Sequence, residues 1–447
     1  MNRRTFLRAA VGAAVTLPQR AQARKPNLLF IFCDQLRAQE IGCMGNAEVR
    51  TPNIDRLASQ GILMRNNFSC APVCSPFRGS LMTGRYPWNN GVERNGAEIN
   101  AQSKTIAEVL LEQGYATGFI GKWHLFRAAG NPAGTPAAEF VPPEKRRGWQ
   151  FWAATNNGQQ AEGAVVYYDS PTPVPIPGTE IAFQTRTAIQ YMEQHAAEPF
   201  ALMIAYNPPH VPLTPTVDYA VYPQNSVTPR PTVPAEMQAE SRRIVARYRT
   251  AVSVVDDYIG QLMAAMDRLG LTENTVLAFT SDHGLMMYEQ GQTDKQRPWN
   301  ESAQTPYIVR YPAAIPAGRQ SEAMANSVDL MPTMLALLNV PAPSNVEGVD
   351  LSPVMRGDTD SGPDSIYLSQ RHFAEGIGFD WQGVVTQEWK YAWHKNGDWL
   401  LYNRREDPYE QKNLVDDPRH AEVKQRLADL TAEWRDKTGD RAPLLFP

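Results

Sequence analysis

Cys74-Ser75-Pro76-Phe77-Arg78 opens the run CSPFRGSLMTGR, from Cys74 to Arg85, and says more about chemistry than any other stretch. Ser75 is placed to cap a helix with Pro76 in its first turn. Cys74 then stands at the positive end of that helix, where a developing oxyanion is favoured. Asp34-Gln35 and Asp282-His283 are two further pairs, far apart in the chain. Their carboxylates are the anionic oxygens a hard cation prefers, and the Gln35 amide oxygen can add a neutral one. Gly121-Lys122-Trp123-His124 and Asp294-Lys295 hold ammonium groups and an imidazole. His210 lies in Asn207-Pro208-Pro209-His210-Val211-Pro212, where prolines on both sides fix its direction.

Residues so scattered need a frame to bring them together. Asn27 to Cys33 is a continuous apolar run ending at Asp34, the pattern of a buried parallel strand. Thr51-Pro52 starts a helix through Ala58, with Gly61 as its stop. A second helix, Thr105 to Gln113, ends at Gly114 and leads into a strand from Ala116 to Ile120. Helices at about 180–194 and 237–269 alternate with strands at 200–205 and 275–280. This alternation predicts an α/β fold with a mostly parallel sheet flanked by helices. In such sheets ligands gather at the carboxyl ends of the strands. Asp34, Lys122 with His124, His210, and Asp282 with His283 all fall just past a strand. Pro171 to Pro177, and eight prolines between Pro208 and Pro234, predict stiff loops around a site. Near residue 345 the pattern changes. Short strands at Ser365–Leu368, Gly383–Thr386, Lys390–His394 and Trp399–Tyr402, then a helix from about His420 to Lys437, predict a small antiparallel sheet plus helix.

The Cys74–Arg85 run resembles the signature of the type I sulfatases, whose cysteine in a Cys-x-Pro-x-Arg core is oxidised to formylglycine. Leu401-Tyr402-Asn403 to Asn413-Leu414 is similar to the C-terminal signature of that family. The resemblance covers nearly all of the chain past residue 23. It implies an alkaline-phosphatase-like fold, with a catalytic domain at 24–345 and a C-terminal subdomain at 346–447. It also implies hydrolysis of an organic sulfate monoester. By the same resemblance Asp34, Gln35, Asp282 and His283 hold one divalent cation, usually calcium, with residue 74 as a further ligand. The commoner pattern has an aspartate where Gln35 stands, and one negative charge fewer should weaken metal affinity. Arg78 is implied to bond residue 74, Lys122 and Lys295 to bind the sulfate, and His124 to serve the formylglycine. His210, assisted by Lys295, is implied to protonate the leaving alcohol, as an imidazolium can near neutral pH.

A sulfated carbohydrate is the first expectation for the substrate. Aromatic faces at Trp149 to Trp152 and Tyr167-Tyr168 suit sugar rings, or they are simply core. Arg94, Asn95, Trp152 and His372, with Asn156 and Asn157, are candidate substrate contacts. A simple aryl or alkyl sulfate is the second choice. Phosphonate and phosphodiester hydrolases share the scaffold. A non-catalytic sulfoglycan-binding protein is the remaining alternative if Cys74 stays unmodified.

The chain has 447 residues, 43% of them apolar, enough for one large core and a satellite. Residues 1–23 carry four arginines and no acid, so the rest has 39 basic residues against 47 acidic, a balance of −8. That argues against nucleic acid as a partner. Arg3-Arg4-Thr5-Phe6-Leu7, a short apolar stretch and Ala21-Gln22-Ala23 resemble a twin-arginine signal peptide with its cleavage site. The stretch is too short for a membrane anchor, since a span needs about 20 residues. The implied address is a bacterial periplasm or exterior. The implied biogenesis partners are a twin-arginine translocase and a formylglycine-generating enzyme. Cys33, Cys43 and Cys70 are expected to be small core residues. The Cys70/Cys74 spacing lacks the second cysteine pair of a zinc site.

Overall fold

Seven consecutive buried residues, Asn27–Cys33, form the strand near the middle of the main sheet. Leu28, Phe30 and Phe32 pack into the core on one face, while Leu29, Ile31 and Cys33 pack into the core on the other. A strand apolar on both sides must be covered on both sides, and helices do this. Glu180–Gln194 and Gln238–Arg268 cover one face through Tyr191, Met192, Val255 and Ile259. Cys74–Thr83, Ile106–Glu112 and Leu330–Leu337 cover the other through Phe77, Leu81, Ile106, Leu110 and Met334. The computed structural model describes residues 24–127, 130, 135–158, 163–211, 222–372 and 380–441. The signal-peptide reading and residues 212–221 of the loop after His210 lie outside these residues.

Among the described residues nine strands make the main sheet. Five of them, in the order Thr275–Ser281, Asn27–Cys33, Phe200–Tyr206, Ala116–Lys122 and Phe151–Thr155, run parallel. Tyr307–Arg310 joins antiparallel beside Thr275–Ser281, followed by Ile62–Phe68, which pairs with Gln304–Thr305 and Arg319–Asn326. The predicted helices and central strands stand within a residue or two of expectation. The Ala116 strand continues to Lys122, so this lysine closes the strand rather than following it. The strands at Ile62–Phe68, Tyr307–Arg310 and Arg319–Asn326 were not foreseen.

The expected small sheet is present, with Ser365–Gln370, Trp381–Thr386, Trp389–His394 and Gly397–Asn403 antiparallel in chain order, followed by the helix Ala421–Thr438. Trp381, Ile366 and Leu368 share a core with Phe68, Met286 and Trp299, which joins the small sheet to the main one. Among the described residues no helix is long and apolar enough to cross a membrane.

Candidate active site

The ladders of the central strands carry two carboxylates to the same edge. The Asp34 N–H donates to the Tyr206 carbonyl at 3.0 Å, and the Asp282 N–H donates to the Cys33 carbonyl at 3.1 Å. Cys74 is the first residue of its helix, so Val73, not Ser75, stands at the cap position, and Val73 makes no side-chain cap bond. The expectation of a Ser75 cap is therefore corrected. Its hydroxyl donates instead to the His124 carbonyl at 2.6 Å, and its N–H donates to Asn95 Oδ1 at 3.0 Å. Ser75 thus ties the helix start to two loops at the rim of the site. His124 holds a left-handed backbone, φ 56°, and its N–H donates to the Asn156 carbonyl at 2.6 Å.

Around Cys74 Sγ the groups converge. His283 Nε2 is 3.3 Å away, Lys295 Nζ 3.4 Å, Asp34 Oδ1 3.6 Å and Lys122 Nζ 4.0 Å. Lys295 Nζ also lies 3.2 Å from His210 Nε2, which is 3.8 Å from Asp34 Oδ1. Asp34 Oδ2 accepts from Lys122 Nζ at 2.6 Å and from Arg78 at 3.0 Å. Arg78 was expected on residue 74. Its guanidinium instead bonds Asp34, Asp282 Oδ2 at 3.3 Å and the Lys122 carbonyl, since two buried carboxylates offer it charge-assisted hydrogen bonds.

Charge follows from this packing. Burial would raise the Cys74 thiol, but Lys122, Lys295 and His283 pull it well below its ordinary value. Burial and Cys74 work against ionised Asp34, yet Lys122, His210 and Arg78 hold it below the usual carboxylate range. Asp282 goes the other way, pushed up to about 6 by burial and by the neighbouring Asp34. Burial and Lys122 pull His124 down to about 4, which keeps it neutral and able to accept a proton. Lys295 is raised, since Cys74 and Asp34 outweigh the burial that would lower it.

Asp34, Cys74, Asp282 and His283 each offer a donor atom within 4.8 Å of the others. A buried pair of carboxylates, one of them already resisting ionisation, is a donor set that a divalent cation would relieve. Gln35 stands beside it, with its N–H on Asp282 Oδ1 at 3.0 Å and its amide oxygen accepting the Val211 N–H at 3.2 Å. The residues present fit one hard cation.

The expected substrate contacts divide. Trp152 is core: it is 2% exposed and stacks on Phe119 with ring centres 5.2 Å apart, because the strand Phe151–Thr155 turns it inward. Trp149 and Tyr167 are buried too. Asn156 and Asn157 are held by Phe126, Ala138 and Glu139. Arg94, Asn95 and His372 are exposed. Arg371 bonds Glu93 at 2.6 Å, which brings the segment before His372 onto the loop of Arg94 and Asn95. Sequence reasoning missed the buried residues that hold the Lys295 loop, Trp381, Lys390 and Glu410; the strand pattern placed Lys390 in a sheet, began the neighbouring strand two residues past Trp381, and gave no sign of their partners.

The fold and this site define a hydrolase of the alkaline-phosphatase-like class. The family described as "Sulfatase" matches residues 26–340, and "N-sulphoglucosamine sulphohydrolase, C-terminal" matches 288–437. The chain belongs to the sulfatase family and is a sulfuric ester hydrolase. It is 31% identical to an ulvan-active sulfatase of Formosa agariphila, over 94% of this chain and 85% of that one. It is 25% identical to an N-acetylglucosamine-6-O-sulfatase of Bacteroides thetaiotaomicron, over 96% and 90%. The solved yidJ protein of Bacteroides fragilis is 28% identical and superposes with a TM-score of 0.87, covering 95% of this chain and 98% of that one.

Proposed function

We propose that the protein hydrolyses a sulfate ester of a carbohydrate, with residue 74 acting as formylglycine. The observation that carries the reading is the convergence of Lys122, Lys295 and His283 on Cys74 Sγ beside two buried carboxylates. The sulfur stands where the formylglycine oxygens would be. A hydrated aldehyde supplies two hydroxyls on one carbon, one to attack sulfur and one to expel the sulfate afterwards. Asp34, Asp282, His283 and Gln35 would hold one calcium ion, which supplies charge opposite the sulfate and favours an ionised hydroxyl.

The chain's own groups do the rest. Lys122 and Lys295 hold the sulfate oxygens in a poorly solvated pocket, where each contact counts for more than in water. His210, 3.2 Å from Lys295, donates the proton that the departing alcohol needs. Neutral His124 takes the proton of the second step. Arg78 braces both aspartates and the end of the Lys122 strand, so its part is to orient. Arg94, Asn95 and His372, exposed beside one another's loops, bind the sugar. The names of the relatives support a glycan: ulvan in one case and N-acetylglucosamine 6-O-sulfate in another. Residues 24–345 serve as the catalytic domain and 346–447 as its subdomain. Residues 1–23 direct export to a bacterial periplasm or exterior.

The deciding experiment is a screen of sulfated glycans against an aryl sulfate and a phosphodiester, on protein matured with the modifying enzyme. Glycan desulfation is expected, with Cys74→Ala inactive and the residue-74 peptide carrying the aldehyde by mass spectrometry. Turnover by protein whose thiol is intact would overturn the nucleophile. Preference for the phosphodiester would overturn the substrate class.

A further inference from the structure

Lys295 follows a two-stranded hairpin, Met286–Met287 paired with Thr293–Asp294. It sits between two non-glycine residues with left-handed backbone, Asp294 at φ 68° and Gln296 at φ 70°, and Tyr288 (φ 79°) and Gln290 (φ 55°) share that state. Such residues cost free energy and persist only where the surroundings hold them. Pro72 contributes one hold, its carbonyl accepting the Gln296 N–H at 3.1 Å. Thr232 contributes another, its carbonyl accepting the Gln290 N–H at 2.9 Å, and a further set comes from beyond residue 345. Trp381 Nε1–H donates to the Gln296 carbonyl at 2.8 Å. Lys390 Nζ donates to the Pro298 carbonyl at 2.9 Å and to Asn300 Oδ1 at 2.6 Å. Glu410 Oε2 accepts the Asn300 N–H at 2.8 Å, and its carbonyl accepts from Gln290 Nε2 at 2.6 Å.

Lys390 and Glu410 also pair with each other at 2.5 Å, and each is 1% exposed. A buried ion pair is a poor source of stability, because desolvation offsets most of the attraction. What it does supply is position, since both charges end on one short stretch, 298 to 300, just past Lys295. Trp381, fully buried, adds a third fixed point next to the lysine.

We propose that Trp381, Lys390 and Glu410 are positioning residues for Lys295. They set its ammonium against residue 74 and His210, so these three residues complete the active site without touching substrate. This rests on the reading of Lys295 as the group that steadies sulfate and leaving oxygen together with His210.

The test uses the matured full-length enzyme and the paired variant Lys390→Met/Glu410→Leu. It removes both buried charges at once and so avoids stranding one of them. Turnover of a sugar sulfate, a poor leaving group, should fall about ten- to a hundredfold, as misplacement near 1 Å can cause. An activated aryl sulfate should fall several-fold less than the sugar sulfate, because there Lys295 serves only the sulfate oxygens and the leaving group needs little help. In a Lys295→Ala background the same pair should change sugar-sulfate turnover by less than about twofold, since residues that act through one group are not additive. Equal losses on both substrates, or the full loss repeated without Lys295, would overturn the proposal. Trp381→Phe keeps one aromatic ring and deletes the pyrrole part with its N–H; the same substrate pattern is expected at smaller size, and it stands in if the paired variant does not fold. Full turnover by Lys295→Ala alone would instead remove the reading of Lys295, a separate failure.

Discussion

Asp282→Asn should make the metal-free protein no less stable while abolishing its activity. In the folded chain Asp282 is fully buried and pushed from 3.8 up to about 6, by burial and by Asp34. Ionised at neutral pH, it therefore carries about 3 kcal/mol of strain. Asparagine removes the charge yet keeps Oδ1, which accepts both the Gln35 N–H at 3.0 Å and the His283 N–H at 2.8 Å. The loss is the contact from Arg78 to Oδ2 at 3.3 Å, worth about 1.5–3 kcal/mol as a hydrogen bond to a charged group. The two terms leave the variant about 0–1.5 kcal/mol ahead in EDTA. Because the folded pKa is raised, the penalty on wild type is absent below pH 3.8, grows as pH rises, and is complete above about 6. Between pH 7.5 and pH 5 that penalty should fall by about half, or about 1.4 kcal/mol, so the variant's advantage should disappear. With calcium at a hundred times its dissociation constant, wild type should gain about 2.7 kcal/mol and the variant much less. Urea denaturation at both pH values, with and without calcium, reads all of this. A variant destabilised by 3 kcal/mol or more in EDTA, or stabilised by calcium as fully as wild type, would refute the argument.

His210→Ala should slow a sugar sulfate far more than an activated aryl sulfate, about 10²-fold or more against less than tenfold, measured as kcat/KM on the two substrates. His124→Ala should allow one alcohol per enzyme and then stall, seen as a burst equal to enzyme concentration in rapid-quench kinetics. Asp329, buried and pushed up to about 7, accepts the Asn326 and Val349 N–H groups. Its raised pKa means that wild type loses stability as pH climbs from 4 to 7, so Asp329→Asn should gain about 2–3 kcal/mol on wild type between pH 5 and pH 8 by thermal or urea melts. Changing Arg3 and Arg4 together to lysine should leave unprocessed precursor inside the cell, which fractionation and immunoblotting can follow.

The central strands were legible because burial on both faces writes an unbroken apolar run, and a charge such as Asp34 marks its end. The strand Ile62–Phe68 escaped notice because Arg65, Asn66 and Asn67 interrupt its run. Those polar side chains are satisfied by residues remote in sequence, Asn67 by Thr305 at 2.8 Å and Asn66 by the Glu322 carbonyl at 2.9 Å. Trp152 was misplaced for a related reason. An aromatic cluster reads alike whether it lines a rim or fills a core, and only the neighbouring strand decides. The family resemblance brought Cys74, Lys122, His210, Asp34, Asp282 and Lys295 into one site, but it did not show that Arg78 would bond the carboxylates at positions 34 and 282. Ser75 shows the limit of local rules: its hydroxyl had the chemistry of a cap, and a tertiary acceptor, the His124 carbonyl, took it instead.

All ten residues of the helix Cys74–Thr83 are buried, and Cys74 itself is 1% exposed. A protein catalyst that oxidises a cysteine has to close around the peptide on either side of it. In the finished molecule that peptide is inside. On the proposed formylglycine reading, conversion of residue 74 therefore belongs to the life of the nascent or newly released chain, in competition with its own folding. The yield of modified protein is then a ratio of two rates rather than a property of the folded state. Substitutions that speed folding of the first strands and this helix would close the window sooner. A version of this protein improved for rapid folding could emerge sturdier and yet contain fewer molecules able to turn over.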